Sequence, residues 1–288
     1  MTTHPTILVT GASGHLGSLT VHSLLEQGLR PESIVAGGRN MERLQSLARL
    51  GVRTSRVDYD DTATLSAAIE QVDTVVLISG SEIGKRIRQH SNVIDAAVRA
   101  GSKRLLYTSV TEADTTANPV APEHKATEEA IKSSGIGFTI ARNNWYTENF
   151  ATDVATARET GTLIANAGAG KVASATRADY AAGLAALALD DSYLDKTLEL
   201  GGDKAWNYEE LARVVSTIIG HEVDYQPLNS AELATALARS GVDEMTIGFV
   251  TALGEAIKAG DLALSDGTLS TLIGRPTTPL LEGLRAAV

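Results

Sequence analysis

The sequence predicts an α/β protein, a doubly wound parallel sheet followed by a smaller, mostly helical C-terminal part. Three observations predict it. Short apolar runs without polar alternation, the mark of strands buried on both faces, alternate with helix-period segments over the first 140 residues. A glycine-rich turn, T-G-A-S-G-H-L-G at positions 10 to 17, joins the first strand to the first helix. After Arg142 the alternation loosens and Ala- and Leu-rich helical segments dominate.

The elements follow in order. Ile7-Leu8-Val9 is the first strand, and Leu16, Leu19, Val21, Leu24 and Leu25 give the first helix its stripe, which Gly28 ends. Ile34-Val35-Ala36 is the second strand. Met41 to Leu50 reads as a helix with Leu44, Leu47 and Leu50 inward, and Val52 to Val57 as a weaker third strand. Thr62 to Ile69 is a helix and Val72 to Ile78 the fourth strand. Gly84 to Ala100 is a long helix with Ile87, Val93, Ile94, Ala97 and Val98 inward. Lys103 to Thr108, Glu123 to Ser133 and Phe138 to Ala141 add a strand, a helix and a sixth strand. Such repeated strand–helix–strand units imply right-handed crossovers.

Beyond Arg142, Gly161 to Ala173 reads as a hairpin or loop pair, Arg177 to Leu189 as a helix and Thr197 to Leu200 as a strand. Asn207 with Glu210 three residues on forms a capping box that opens a helix from Tyr208 to Ile219. Val223 to Gln226 is a short strand. Helices at Ala231 to Ala238, Met245 to Lys258 and Pro279 to Ala287 complete the chain.

Composition narrows the function. The chain has 288 residues and no cysteine, which excludes disulfides, thiolate nucleophiles and Cys-ligated metals, and no metal site is expected. A formal net charge of −10 argues against a nucleic-acid binder, which needs a basic face. No positively charged start followed by an apolar stretch marks a signal peptide, and no apolar run reaches the roughly 20 residues of a membrane span. A soluble, cytoplasmic protein with no membrane partner is expected, as a monomer or a homodimer.

The glycine turn points to a dinucleotide. Gly11 permits the tight turn, Gly14 lets backbone approach a pyrophosphate, and Gly17 lets the helix pack closely on the strand. The helix N-terminus at Ser13 to Gly17, with His15 and Leu16 in its first turn, then faces the anion. This is the fingerprint of a Rossmann domain. NAD sites place an acid at the end of the second strand, whereas NADP sites use a nearby Arg. Here the strand ends Gly37-Gly38-Arg39-Asn40, with no acid, so Arg39 is the candidate 2′-phosphate ligand and NADP(H) the expected cofactor. Asp58, after the third strand, either accepts from the adenine amino group or caps a turn in its own acidic cluster.

Further segments carry a family likeness. They are L-I-S-G-S-E at 77 to 82, Q-H-S-N-V at 89 to 93, Y-T-S-V at 107 to 110, E-H-K-A-T-E at 123 to 128 and R-N-N-W-Y-T-E-N at 142 to 149. S-A-T-R-A-D-Y-A at 174 to 181 and L-I-G-R-P-T-T at 272 to 278 extend it. With the glycine turn, these resemble the NmrA-like branch of the atypical short-chain dehydrogenase/reductases, most of all its bacterial NAD(P)H:quinone oxidoreductase type, to which triphenylmethane reductase is related. The resemblance implies a Rossmann domain over residues 1–150, its sheet completed by later strands, and a smaller substrate-binding domain over residues 151–288. It implies NADPH binding and reduction of quinone-like acceptors. By position, Ile78, Ser79 and Gly80 would lie against the adenosine and its ribose, and Thr108 and Ser109 would approach the nicotinamide ribose. Asn143 to Glu148, with Asn144, would flank the nicotinamide, Trp145 and Tyr146 would wall the acceptor pocket, and Ser174 would close it.

The sequence also departs from the wider superfamily. None of its seven Tyr has Lys four residues later, so the usual proton-donating dyad is missing. Lys125 stands where isoflavone-reductase relatives place a catalytic Lys, and is otherwise a helix-surface ion pair with Glu128 or Glu129. His124 is either a proton donor near its ordinary pKa of about 6.5 or an exposed helix residue. Tyr146 is the remaining catalytic candidate. Hydride addition to a simple ketone produces a strongly basic alkoxide that needs a positioned acid. Addition to a quinone produces a phenolate-type anion, whose acidity resembles that of Tyr at about 10, and water can protonate it later. A chain without the dyad therefore suits a flat conjugated acceptor. The alternative reading is an NmrA-like redox sensor that binds NADP(H) without turnover.

Overall fold

The structure, a computed structural model, describes residues 5–288. The chain divides into two compact units whose segments alternate along the sequence: of the described residues, 5–110, 122–143 and 177–198 form the first, and 111–121, 144–176 and 199–288 the second.

The first unit is built on a seven-stranded sheet. Its elements are β1 (Ile7–Val9), α1 (His15–Glu26), β2 (Ile34–Gly38), α2 (Gln45–Ala48), β3 (Arg53–Arg56), α3 (Thr62–Ile69), β4 (Thr74–Leu77), α4 (Arg86–Ala100), β5 (Arg104–Val110), α5 (Ala121–Ser133) and β6 (Gly137–Asn143). The strand order is β3-β2-β1-β4-β5-β6, with a later edge strand beside β6, and β1 pairs in parallel with both β2 and β4. That reversal at β1/β4 is the switch point at which open α/β sheets bind ligands beyond their carboxyl ends. The central strands are wholly buried, including the polar Thr74, Arg104, Thr108 and Ser109 that interrupt their apolar runs. Leu65 and Ile69 of α3, Val93 and Ile94 of α4 and Ile131 of α5 cover one face with Leu8, Val75, Leu105 and Tyr107.

The rest of the chain supplies α6 (Ala151–Thr160), β7 (Thr162–Ala165), α7 (Arg177–Leu189), β8 (Lys196–Leu200), α8 (Tyr208–Ile219), β9 (Asp224–Pro227), α9 (Ser230–Arg239), α10 (Glu244–Ala259), α11 (Thr268–Ile273) and α12 (Leu280–Ala287). The edge strand beside β6 is β8, and α7 packs on α1 on the face opposite α3 and α4. The second unit has its own aromatic core. Phe150 meets Trp206 edge-on at 4.8 Å, and Tyr208 stacks on Tyr225 at 5.4 Å. The capping box at Asn207 and Glu210 is present, and a second one at Asn229 and Glu232 opens α9.

Several elements differ from expectation. Only Gln45–Ala48 of the 41–50 segment is α-helical; Leu44 and Leu47 are buried while Leu50 faces solvent in the turn that Gly51 closes. On α4, Ile87 and Val98 are exposed, at 49% and 43%. They lie about 120° and 140° around the helix from Val93 at 100° per residue. Polar Arg86, Gln89 and His90 share the buried stripe in their place. The segment expected as a hairpin or loop pair instead contributes β7, which pairs in parallel with β9 some sixty residues later. Neither α6 nor α11 announces itself; in α6 only Val154 and Ala157 are buried.

One buried ion pair staples the carboxyl ends of β5 and β6 to α5. Arg142 donates Nε to Glu128 Oε1 at 2.9 Å and Nη2 to Oε2 at 2.8 Å, and Ser109 donates to Oε1 at 2.6 Å. Removing one partner strands the other charge in low dielectric. Glu128→Ala is expected to lower unfolding free energy by about 3–5 kcal/mol. The double variant Glu128→Leu/Arg142→Met should recover a large part of the loss, as urea unfolding midpoints would register. Equal midpoints for wild type and Glu128→Ala would show that the pair stabilises nothing.

Candidate active site

A cleft opens at the switch point of the first unit, beyond the carboxyl ends of β1, β2 and β4. Gly11, Ser13, Gly14, His15, Leu16, Gly17, Arg39, Asp58, Ile78, Ser79 and Gly80 all line it, together with Gly38, Tyr59, Glu82 and Gln89. The structure thus brings together the entire first group of sequence candidates.

The glycine turn is built as its spacing requires. Gly11 has a left-handed φ of +61°. A methyl group on Gly17 would collide with the Gly11 carbonyl, so the helix can start this close to the strand only with glycine there. Gly14 is the N-cap of α1, with extended backbone and no side-chain cap. The first-turn amides of α1 therefore keep the positive end of the helix open, with no acid in that turn. An uncapped helix start facing a cleft, with no side chain at Gly14, fits a pyrophosphate.

The cleft's second wall is the turn after β4, where side chains take the amides of Ile78, Ser79, Gly80 and Gly84. The Ile78 amide donates to Thr10 Oγ1 at 3.1 Å, Ser79 to Thr108 Oγ1 at 2.8 Å and Gly80 to His90 Nε2 at 2.9 Å. Arg86 Nε donates to the Gly80 carbonyl at 2.6 Å, and the Gly84 amide to Glu123 Oε1 at 2.9 Å.

These bonds set the histidine tautomers. His90 Nε2 accepts from Gly80, so its proton sits on Nδ1 and is donated to Thr127 Oγ1 at 3.0 Å. Tyr107 then donates to His124 Nδ1 at 2.7 Å. Burial, reinforced by the Arg86 charge, pulls both imidazoles down to a pKa of about 3, and burial pushes the Tyr107 phenol well above its ordinary range. His124 is thus neither exposed nor near its ordinary pKa, contrary to both expectations, because its ring fills the space between α5 and β5. Lys125, one position on, is exposed. The carboxylate of Glu128 is instead engaged by Ser109, Arg142 and Lys132, so the expected Lys125–Glu128 pair does not form.

The remaining candidates lie elsewhere. In the first unit, Thr108 and Ser109 are buried at the end of β5, and their hydroxyls serve Ser79 and Glu128. Asn143 ends β6 opposite Val110. Asp58 Oδ1 accepts from the Asp60 amide at 3.1 Å, so it caps its turn while lining the cleft. In the second unit, Asn144 holds its own turn by accepting from the Trp145 amide at 2.7 Å and donating to Leu262 O at 3.0 Å. Trp145 and Tyr146 are half-buried, with Trp145 6.5 Å from the Phe249 ring. Ser174 accepts from Trp206 Nε1 at 3.0 Å and pairs with Thr147 Oγ1 at 2.9 Å.

Sequence reasoning also missed Glu82. It follows β4 in the chain, yet its Oε1 lies 2.7 Å from Arg39 Nη1 and its Oε2 2.8 Å from Lys85 Nζ. The acid absent from the end of β2 is present in space.

The NmrA-like family profile matches residues 3–268. The chain belongs to the NmrA-like family. Among its relatives, quinone oxidoreductase 2 of Escherichia coli K12 is 41% identical over 278 residues, covering 96% of this chain and 97% of that protein. The crystal structure of the E. coli NADPH-dependent quinone oxidoreductase complexed with NADPH has a TM-score of 0.93 and covers 97% of this chain and 99% of that one. The NADP(H) complex of Citrobacter sp. triphenylmethane reductase is 34% identical, with a TM-score of 0.91, and covers 98% of this chain and 100% of that one. Among the described residues of this NmrA-like chain, no helix is long and apolar enough to cross a membrane.

The buried histidines of this NmrA-like protein predict acid sensitivity. Both are far less basic when folded than in the unfolded chain, which therefore binds protons below about pH 6.5 that the fold cannot. Their contribution is complete above that pH and declines as pH falls towards 3, by up to about 1.4 kcal/mol per pH unit for each histidine. Urea midpoints should drop between pH 7 and 5, and less steeply in His124→Phe. A midpoint flat across that range would show that the rings charge without cost.

Proposed function

We propose that this chain is an NADPH-dependent oxidoreductase that transfers hydride to a quinone or a similar flat conjugated acceptor. The observation that carries it is the cleft at the switch point, which joins an uncapped, side-chain-free helix start to Arg39, in a chain 41% identical to quinone oxidoreductase 2. Gly11 to Gly17 would hold the pyrophosphate, with Ser13, His15 and Leu16 presenting backbone, and Arg39 would take the 2′-phosphate through charge-assisted bonds. Asp58, Ile78, Ser79 and Gly80 would wall the adenosine side. Thr108, Ser109, Asn143 and Asn144 would shape the nicotinamide side, with Thr108, Ser109 and Asn144 fixed by their own bonds.

When bound, the nicotinamide supplies the hydride; the protein supplies orientation. The second unit would receive the acceptor through Trp145 and Tyr146, whose half-buried rings offer an apolar surface, with Ser174 fixing the segment behind them. Tyr107 and His124 do not exchange protons at neutral pH, because one is held protonated and the other neutral against each other. Lys125, exposed and one residue away, is a positioning candidate. A conjugated acceptor whose anion water can protonate matches that supply. A cytoplasmic enzyme acting on a small molecule, with no nucleic-acid or membrane partner, completes the reading; the net charge of −10 supports the former exclusion.

Two measurements test it. NADPH absorbance against quinones, dyes and simple ketones should fall with quinones or dyes and hardly with ketones, and Trp145→Ala should lose more rate than Lys125→Ala. Binding of NADPH without turnover of any acceptor would favour a sensor.

In a second test, Gly14→Val should abolish dinucleotide binding in a folded protein. The first carbon of a side chain there meets only the Gly11 carbonyl, at 3.3 Å, and the backbone is extended. Arg39→Ala should weaken NADPH about ten- to a hundred-fold, the equivalent of losing a charge-assisted contact, with no loss of NADH affinity. Equal losses for both cofactors would remove Arg39 from the 2′-phosphate.

A further inference from the structure

The geometry points to Glu82 as the residue that sets this chain's preference between NADPH and NADH. The inference rests on the cofactor reading above and adds a residue to it. NAD-binding sites of this fold carry an acid at the end of the second strand, where it accepts the ribose 2′-hydroxyl. Here that position is Arg39, and the carboxylate arrives from the turn after β4 instead. Glu82 Oε1 sits 2.7 Å from Arg39 Nη1, and both residues line the cleft.

The two candidate cofactors make opposite demands on this pair. A 2′-phosphate carries about −1.5 to −2 charges and needs Arg39, so it must take the guanidinium from Glu82 and tolerate the carboxylate nearby. A neutral 2′-hydroxyl gains no charge pairing from a guanidinium but can donate to a carboxylate, and Glu82 is the acceptor in reach of Arg39's position. The carboxylate therefore opposes NADPH and favours NADH, while Arg39 does the reverse.

Lys85 makes the exchange easy. Its Nζ holds the other carboxylate oxygen at 2.8 Å, so Glu82 can release Arg39 and keep a counter-ion. Arg39, Lys85 and Glu82 together carry one net positive charge, and neutralising Glu82 raises this to two. The amides of Ile78, Ser79, Gly80 and Gly84 cannot make this adjustment, because all four are held by side chains. Selectivity thus resides in one exposed-edge carboxylate and its two cations, and the wild type is expected to bind both dinucleotides with affinities within about an order of magnitude.

The test is calorimetric titration of NADP⁺ and NAD⁺ into wild type, Glu82→Gln and Lys85→Ala. Glu82→Gln should tighten NADP⁺ and weaken NAD⁺, raising the affinity ratio about ten-fold, with a larger gain at low salt. Lys85→Ala should move the ratio the other way, about three-fold, because Glu82 then has only Arg39. A general loss of structure would depress both ligands together and leave the ratio alone. Ratios within two-fold of wild type in both variants overturn the proposal. So does a loss of NADP⁺ affinity in Glu82→Gln as large as that in Arg39→Ala, since Glu82 would then only position the arginine. If wild type binds neither dinucleotide, the cofactor reading itself falls.

Discussion

The turn after β4 depends on three successive amides finding three partners from three different places. Ile78 is captured from the end of β1, Ser79 from β5 and Gly80 from α4. A loop at the carboxyl edge of a parallel sheet has no neighbouring strand to satisfy it, and buried orphan amides are costly. Threonine hydroxyls and one imidazole do the work here. Much follows from that choice. Thr10 must follow β1 directly and Thr108 must stand in the last half of β5, His90 must turn into the core of a mainly apolar helix face, and its ring must stay neutral to accept from Gly80. Arg86 and Glu123 then close the same turn from the carbonyl side and from Gly84.

This explains which part of the fold could be read from sequence. The strands of the central sheet are buried on both faces, so their apolar runs are unambiguous, and the helices between them obey a single period. The failures lie where burial and polarity part company. Ile87 and Val98 were expected inside because they are apolar, yet α4 buries Arg86, Gln89 and His90 on behalf of the turn, and the helix rotates accordingly. β7 was invisible as a strand because its partner, β9, lies far along the chain and both are short. A hairpin reading assumes a local partner, and nothing local in 161–173 rules one out.

The candidate site shows the same division. Gly11 and Gly17 were legible because only glycine meets the steric demand there, and Gly14 by its place between them in the motif. Arg39 was legible by its position at a strand end. Glu82 was not, since its meeting with Arg39 is made by the neighbouring loops after β2 and β4, more than forty residues apart. His124 was misread in both alternatives for another reason. A histidine on a helix rich in charge looks exposed, but this one is the partner that a buried Tyr107 hydroxyl requires.

Two sets of buried polar groups at the sheet's carboxyl edge are therefore closed, and neither is free to do proton chemistry. Ser109, Glu128, Arg142 and Lys132 form one, in which every carboxylate oxygen is already matched. His90, Thr127, Tyr107 and His124 form the other, in which a single arrangement of protons satisfies the chain from Gly80 to His124. Closed networks of this kind hold geometry at the expense of titration, because moving one proton would leave a buried donor or acceptor without its partner. A site framed by them can orient a bound molecule with precision, yet has little capacity to supply an acid. Chemistry that relies on orientation and leaves the proton to solvent is what such a frame supports. What it leaves adjustable is the rim, where Arg39, Glu82 and Lys85 keep enough exposure for their pairings to change with the ligand.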